Sequence, residues 1–323
     1  MPSVRISGIG SYLPRQVVPN AELAKKVGVD QKWICRRTGI EARRFAARHE
    51  TTADLATHAG TRAVKDAGLA PHDIDCILAS TSSPDRFFPG VAVDVQARLK
   101  CRKVPAFDLR NESNGFVFGL SIASAWIRSG QYRRVLLVAS EVHSRDLNFD
   151  ARNRDLCVLF GDGAGAIVLE PRKSREATDM PAFELHSDGH FAQDLVFRRR
   201  SRTDPAAPPQ PVMNKTSVIM HSSRSQAEVA DSILEKHNIS LKQIDFIIPH
   251  QSNKNLIREL SRRLDFPMSR IIVNIEKVGN TSSASIPIAL DEAVKSKRIK
   301  RGDLLLLVSF GAGFSWGSAL LRY

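Results

Sequence analysis

The fold is decided by TTADLATHAGTRAVKDAGLAPHDIDCILAST (51–81), which returns in altered form as SRSQAEVADSILEKHNISLKQIDFIIPHQS (223–252). Each stretch runs from a helical pattern into a short apolar run, with Asp75 in one at the place of Asp245 in the other. The segments 111–140 and 279–309 form a second such pair. In this pair Ser113 falls beside Asn280–Ser282, where a loop enters a helix rich in small residues. We infer a duplicated α/β unit whose two halves share one active site.

Short apolar runs predict the strands of both halves. They are VRISGIG (4–10), CILAST (76–81), VLLVAS (135–140), GAIVLE (165–170), FIIPH (246–250), LLLLVS (304–309) and SALLRY (318–323). Continuous apolar runs of this length are typical of strands that are buried on both faces. The run CVLF (157–160) is also predicted to be a strand. Leu55, Ala59 and Ala63 recur at helical spacing and predict a helix that stops at Gly68.

The composition is that of an ordinary globular protein of 323 residues, 42% hydrophobic and 25% charged. No run reaches the roughly 20 apolar residues of a membrane span, and the start lacks a signal peptide's apolar region, so we expect a cytoplasmic protein. The four cysteines, Cys35, Cys76, Cys101 and Cys157, lack metal-ligand spacing, so we expect free buried thiols and no metal. The net charge of +13 calls for an acidic partner. Scattered basic residues and scarce Tyr and Trp argue against nucleic acid.

Longer motifs resemble those of a known family. They are WICRRTGI (33–40), FGDGAGA (160–166), PHQSN (249–253), GNTSSAS (279–285) and FGAGFSWGSALLRY (310–323). With them the chain resembles the thiolase superfamily nearly from end to end, and specifically the β-ketoacyl-acyl-carrier-protein synthase III group. The resemblance implies an α/β, five-layered αβαβα fold of two pseudo-equivalent halves, which we place at residues 1–172 and 173–323. It also implies a homodimer.

The resemblance implies a catalytic site in which one residue has changed. In the family an acyl-CoA acylates a cysteine, and a histidine and an asparagine, here His250 and Asn280, assist condensation with a malonyl carrier protein. The cysteine position maps to Ser113. A helix N-terminus can lower the pKa of a thiol enough to ionise it, whereas a hydroxyl needs a general base. We expect His250 to take the Ser113 proton. The implied oxyanion hole uses the backbone N–H groups of Ser113 and Ala312, and Ala312 would be strained if its φ had to be positive.

The change of nucleophile bears on the reaction. An acyl group on Ser113 is an oxygen ester, which is less reactive toward a carbanion than a thioester. The main hypothesis is therefore acyl transfer from acyl-CoA or acyl-carrier protein through Ser113, in fatty-acid, specialised lipid or polyketide biosynthesis. Three alternatives stay open: a synthase III with an engineered Cys→Ser change, a decarboxylating enzyme, and a catalytically silent partner subunit. No permanently bound cofactor is expected, since the phosphopantetheine arm arrives with the substrate.

The resemblance also assigns substrate contacts. Trp33, Arg37 and Arg154 match family contacts to the adenine and phosphates of CoA. Phe88 matches the residue that closes the acyl cavity of the partner subunit. The segment 220–229 replaces a glycine-containing turn of the family near the pantetheine channel, which makes a donor carried only by carrier protein plausible.

A basic stripe follows the PHQSN motif. Lys254, Arg258 and Arg262 recur every four residues, with Arg263 beside them. On the opposite face of the same helix, Leu256, Leu260 and Leu264 form an apolar stripe that we predict to be buried. A basic face suits docking of an acidic acyl-carrier protein, although a solvated helix face explains the same pattern.

Overall fold

The computed structural model describes residues 3–172, 181–198 and 210–323. The helices are α1 (Asn20–Val27), α2 (Gln31–Thr38), α3 (Thr52–Asp66), α4 (Val91–Leu99), α5 (Gly115–Ser129), α6 (Arg154–Cys157), α7 (Lys215–Lys236), α8 (Lys254–Arg263), α9 (Ile275–Val278) and α10 (Ser285–Lys295). The strands are β1 (Ser3–Tyr12), β2 (Gln16–Pro19), β3 (Ala42–Phe45), β4 (Cys76–Ser80), β5 (Ala106–Leu109), β6 (Val135–Glu141), β7 (Gly163–Arg172), β8 (Ala182–Ser187), β9 (Leu195–Arg198), β10 (Gln210–Met213), β11 (Phe246–Pro249), β12 (Leu304–Gly311) and β13 (Ser315–Arg322).

The two halves build two sheets on one plan. The first sheet has the order β1-β7-β6-β4-β5, and the second has the order β11-β12-β13-β8. In both, the central parallel pair, β4 with β6 and β11 with β12, continues into an antiparallel strand. Asp75 accepts a hydrogen bond from Arg134 N at 3.0 Å, and Asp245 accepts one from Leu304 N at 2.8 Å. Both bonds lie at the start of the second strand of the pair, so the duplication read from the sequence is confirmed.

Helices and sheets alternate in five layers. Helices α3 and α4 pack on the outer face of the first sheet, and α7 and α8 pack on the outer face of the second. Helices α5 and α10 lie between the sheets, where Leu120 and Leu290 share one apolar core with Leu137 and Leu307. The αβαβα fold is therefore confirmed. The start of α5 and the start of α10 meet in the middle layer, which is where the candidate catalytic residues lie.

Some local predictions were wrong. The run CVLF is not a strand, because Cys157 ends the short helix α6 and the next strand begins only at Gly163. Its side chains fill a small core with α1 and α2, and so short an apolar run suits a helix as well as a strand. The segment 220–229 is not a turn, because it lies inside the continuous helix α7.

The cysteines also differ from the prediction. Cys76 and Cys157 are buried, and burial raises the pKa of each thiol to about 11, which keeps both unreactive. Cys101 is only partly buried, and Cys35 is exposed. Cys35 lies on α2, a short and strongly charged helix that buries only Ile34 and Thr38.

The domain boundary at residues 172 and 173 stays a prediction, because it falls where the first described range ends. Within the described ranges, every helix is too short or too polar to cross a membrane.

Candidate active site

Ser113 lies at the entry to the middle helical layer. A single 3₁₀ turn, Glu112–Asn114, leads into α5, and its first residue, Glu112, has a φ of 40°. Gly115 allows the close approach to β4, since a Cβ atom there would lie 1.8 Å from Ser80 Oγ. Ser113 Oγ lies 3.2 Å from Ser282 Oγ, at the start of the equivalent turn in the second half. The structure thus brings the two halves together at the place that the duplication predicts.

The loop after β12 packs directly against Ser113. A Cβ atom on Gly311 would lie 3.1 Å from Ser113 Cβ. Asn114 Nδ2 donates to Ser315 O at 2.8 Å and to Ser315 Oγ at 2.7 Å. These bonds connect the loop to the turn Glu112–Asn114, which we call the nucleophile turn after the predicted role of Ser113. The positive φ of this loop falls on Gly313, at 134°, and not on Ala312. Ala312 is therefore unstrained, and its role in an oxyanion hole stays a prediction.

His250 follows β11 and is buried as a neutral side chain. Burial lowers its pKa to about 4, against a weak opposing hydrogen bond with the Ser282 backbone. His250 Nδ1 lies 2.8 Å from Ser285 Oγ, which accepts a hydrogen bond from Gln251 N at 3.2 Å. The hydroxyl hydrogen of Ser285 is thus available for Nδ1, an arrangement that leaves the proton of the imidazole on Nε2. Ser113 Oγ bonds the Ser282 hydroxyl and His250 Nδ1 bonds the Ser285 hydroxyl, so no hydrogen bond joins the two side chains in the described structure. The transfer of a proton between them stays a prediction.

Asn280 presents an amide donor. Its Oδ1 accepts a hydrogen bond from Ser282 N at 2.8 Å, and its backbone is held by Leu159 and Gly161. Its Nδ2 makes no hydrogen bond with another described residue, so this group is available for a ligand. A neutral imidazole and a primary amide are both suited to stabilise an oxygen that gains negative charge.

A cavity of about 650 Å³ opens at Ser113. Most of its wall is apolar, with Leu147, Leu156, Phe160 and Val196 among the lining residues. Ser282 and Ala312 also line it, whereas His250 and Asn280 do not. A volume of this size suits a small ligand or an acyl chain. A hydroxyl at the start of a helix, facing such a cavity, is a candidate acyl acceptor.

Comparisons with known proteins identify the family. A model of 3-oxoacyl-[acyl-carrier-protein] synthase III matches residues 107–189, and the model of its C-terminal part matches residues 234–323. The β-ketoacyl-[acyl-carrier-protein] synthase III of Methylococcus capsulatus is 43% identical over 322 residues, which cover 99% of this chain and 98% of the relative. That of Laribacter hongkongensis is 42% identical, with 100% of both chains covered. The chain belongs to the β-ketoacyl-acyl-carrier-protein synthase III family.

Solved structures of synthase III proteins have the same fold. The 3-oxoacyl-[acyl-carrier-protein] synthase III of Aquifex aeolicus is 38% identical with a TM-score of 0.92, over 99% of this chain and all of that one. The priming β-ketosynthase from the R1128 polyketide biosynthetic pathway is 33% identical with a TM-score of 0.92, over 99% of this chain and 97% of that one. The family read from the motifs of the sequence is therefore confirmed.

In this synthase III chain the residues predicted to contact CoA form one cluster on α2 and α6. The guanidinium carbon of Arg37 lies 5.0 Å from the ring centroid of Trp33, and that of Arg154 lies 5.7 Å from it. Arg37 also lies 3.6 Å from Asp155, which pairs with Lys215. Two cations next to an indole are compatible with a phosphorylated ligand, but the indole and Asp155 already give them partners within the chain. Their role in binding stays a prediction.

Phe88 is not among the residues that line the cavity of its own chain. It is 84% exposed, and its neighbour Phe87 is 79% exposed. Phe87 lines the cavity, which the sequence did not indicate. Adjacent exposed aromatic residues are unusual on a free surface, and contact of Phe88 with the acyl cavity of a partner subunit stays a prediction.

The basic stripe on α8 is partly neutralised within the chain. Lys254 forms an ion pair with Glu276, and Arg262 and Arg263 share the carboxylate of Glu259 at 2.6 Å and 2.9 Å. Arg258 is exposed and donates to Asn255 at 3.0 Å. Docking of a carrier protein at this stripe stays a prediction.

One residue of the apolar stripe predicted on α8, Leu256, was wrong, whereas Leu260 and Leu264 are buried as predicted. Ile257 and Leu260 are fully buried, and Leu264 is buried beyond the end of the helix. Leu256 is only partly buried. Both Leu256 and Ile257 fit a helical period with Leu260, and Ile257 is the one that joins the core of the second sheet.

Polar side chains on the cavity wall were missed by the sequence reasoning. Glu112 and His143 line the same cavity as Ser113. His143 Nε2 lies 3.5 Å from the buried carboxylate of Glu141. Burial and the nearby charge of Glu141 raise the pKa of Glu112. The sequence could have indicated these residues, because the run NES (111–113) places Glu112 next to Ser113 and the run SEVH (140–143) places ionisable residues at the end of a strand.

Proposed function

We propose that this synthase III-family chain transfers acyl groups from a thioester donor through an ester on Ser113. The proposal depends chiefly on one observation, the Ser113 hydroxyl at the start of α5 and on the wall of an apolar cavity of about 650 Å³. The cavity takes the acyl chain. The donor is acyl-CoA or acyl-carrier protein, in fatty-acid, specialised lipid or polyketide biosynthesis.

In the first step Ser113 Oγ attacks the thioester carbonyl. The C–O bond forms, the C–S bond breaks, and the thiol leaves with the proton that Ser113 gave up. His250 and Asn280 donate hydrogen bonds to the carbonyl oxygen of a thioester, or to the enolate of a decarboxylated one. The neutral state of His250 supports this role, because a buried imidazole with a pKa of about 4 is a weak base but still an N–H donor. The N–H groups of Ser113 and Ala312 complete the oxyanion site.

The surroundings of the site are assigned in the same proposal. Phe87 and Phe88 contact the second subunit of a homodimer. The cluster around Trp33 meets the nucleotide of CoA, and the α8 stripe meets an acidic carrier protein. No cofactor is held permanently, since the phosphopantetheine arm belongs to the substrate. The enzyme works in the cytoplasm.

Intact-protein mass spectrometry tests the acyl-enzyme. The chain is incubated with acetyl-, hexanoyl- and dodecanoyl-CoA and with the same acyl groups on acyl-carrier protein. We expect a mass increase of one acyl group, which S113A abolishes. An adduct that persists in S113A would contradict the assignment of the nucleophile.

S113C is the matched control, because it restores a thiol at the same place. If S113C becomes acylated while the natural serine never does, acyl transfer through Ser113 is excluded, and a decarboxylase or a silent subunit becomes the better explanation. Product analysis with malonyl-carrier protein completes the test. We expect the carbon–carbon condensation product to be more abundant with S113C than with Ser113, since a thioester reacts faster with a carbanion.

A further inference from the structure

Activation of Ser113 requires a base that the cavity itself can supply. A serine hydroxyl attacks a thioester only when a neighbouring group takes its proton. The one side chain that hydrogen bonds Ser113 Oγ in the described structure is Ser282, which is itself only a hydroxyl. His250 is bonded to Ser285 instead and lies outside the cavity wall.

His143 is the imidazole that the cavity wall offers as such a base. It lies on the wall of the cavity that Ser113 also lines, and only 17% of its side chain is exposed. Its ring packs against Phe160, with centroids 4.8 Å apart, which fixes the plane of the imidazole. Its Nε2 lies 3.5 Å from Glu141 Oε2 and has no hydrogen bond, so no other contact competes for this nitrogen.

Glu141 is held in place far more firmly than a surface carboxylate. It is completely buried and accepts hydrogen bonds from the backbone and the hydroxyls of Ser82 and Ser83. Ser283, from the second half, donates to its other oxygen at 2.7 Å. A buried carboxylate that accepts this many hydrogen bonds is immobile, which suits it to orient a histidine.

We propose that His143, oriented by Glu141, is the acid–base residue that serves Ser113, an inference that rests on the acyl-enzyme proposed above. His143 takes the proton of Ser113 as Oγ attacks the thioester carbonyl. The C–S bond then breaks, and His143 returns the proton to the leaving sulfur. The order of a serine, a histidine and a buried carboxylate is the one that activates serine in unrelated hydrolases. Glu141 is the positioning residue of this group.

Ionisable side chains from several elements surround His143. Glu141 faces it from β6, and Glu112 faces the same cavity from the nucleophile turn. Asp162 is buried nearby and accepts hydrogen bonds from Ser144 and Ala46. Arg110 is the one guanidinium among the cavity-lining side chains. Asp146 on the cavity wall is a fourth carboxyl group, so carboxyl groups outnumber guanidinium groups in this set.

Exchanging Ser113 for cysteine tests whether His143 acts as a base or only shapes the cavity. The single-turnover acylation rate is measured by mass spectrometry for the natural chain, H143F, S113C and S113C/H143F, with the best donor of the CoA panel. H143F keeps a ring against Phe160 but removes both nitrogens. We expect H143F to slow acylation of Ser113 by about 100-fold or more. In the S113C background we expect H143F to slow acylation by less than about tenfold, because a thiol ionises with little help from a base.

Equal losses in the two backgrounds would overturn the inference, since a change of cavity shape slows both nucleophiles alike. An unchanged rate in H143F would overturn it too. F160L is the control, because it alters the same wall without a titratable group, and its loss should be equal for Ser113 and S113C. If H143F does not fold, as judged by circular dichroism, H143Q replaces it in the cycle. Failure of the acyl-enzyme proposal is distinguishable, because Ser113 would then show no adduct at all while S113C does.

Discussion

The two halves of the molecule hold different side chains at one pair of equivalent positions. At the end of β11, His250 hydrogen bonds Ser285, the first residue of α10, at 2.8 Å. At the end of β4, Ser80 faces Gly115, the first residue of α5, and there is no room for a side chain between them. The two halves have the same backbone arrangement. The second half places an imidazole between the strand and the helix, whereas in the first half β4 and α5 pack directly against each other.

The two 3₁₀ turns differ in a second way. Glu112 and Ser282 open the turns with φ values of 40° and 48°, so both halves keep the same left-handed backbone. Behind them, Ser113 is half-buried and faces the cavity, whereas Ser283 is buried and donates to Glu141. Non-glycine residues in this conformation are often found at functional sites. The duplication therefore supplied one geometry twice, and of Ser113 and Ser283 only Ser113 lines the cavity.

The largest expected effect comes from removing the hydroxyl of each turn. S113A should lose all acyl adduct, because the attacking oxygen is gone. S283A should keep the adduct and lose about 1 kcal/mol of unfolding free energy, because one buried hydrogen bond to Glu141 is removed. Intact mass and urea unfolding measure the two quantities. An adduct lost equally in both variants would contradict the difference between the turns.

His250 makes the stability of the second half depend on pH, and Ser80 gives the first half no such dependence. The pKa of His250 falls from 6.5 in the unfolded chain to about 4 in the folded one. The unfolded state therefore binds more protons between these values, and stability rises with pH across that window. The burial of neutral His250 should cost about 3 kcal/mol of unfolding free energy as the pH falls from 6.5 to 4.

Urea unfolding of the natural chain and of H250Q between pH 7 and pH 4 isolates this effect. The difference between the two free energies should shrink as the pH falls, because only the natural chain carries the titrating imidazole. Parallel pH profiles would show that the pKa of His250 is the same in the folded and the unfolded chain, which contradicts the prediction.

The close contact in the first half should be sensitive to a single methyl group. G115A places a Cβ atom 1.8 Å from Ser80 Oγ, so β4 or α5 must shift. We expect a loss of about 2 kcal/mol, which is ordinary for overpacking of a core. S80A/G115A should recover part of it, because the clashing oxygen is gone. A loss that is the same with and without S80A would place the strain elsewhere.

These comparisons also separate what the sequence could predict from what it could not. The duplication followed from the repeated segments and the strands followed from their apolar runs, because a short, continuously apolar run such as residues 304–309 is typical of a strand buried on both faces. The motifs located Ser113, His250 and Asn280. The cavity wall was harder to predict, because Glu141 and His143 lie two residues apart at a strand end and their spacing does not show that His143 lines the same cavity as Ser113. The choice between Leu256 and Ile257 on α8 likewise depends on a packing angle that the helical period leaves open.

The smallest effect should have opposite signs in the two halves. Ser80 Oγ is buried without a hydrogen-bond partner, so S80A removes an unsatisfied hydroxyl and should gain about 1 kcal/mol of unfolding free energy. Ser285 Oγ bonds both His250 Nδ1 and Gln251 N, so S285A leaves two buried groups unpaired and should lose about 1–3 kcal/mol. Urea unfolding at pH 7 measures both. A stabilising S285A would mean that the hydroxyl does not hold His250 in place. Of the two side chains proposed to donate hydrogen bonds to the thioester oxygen, only Asn280 would then be held by the structure.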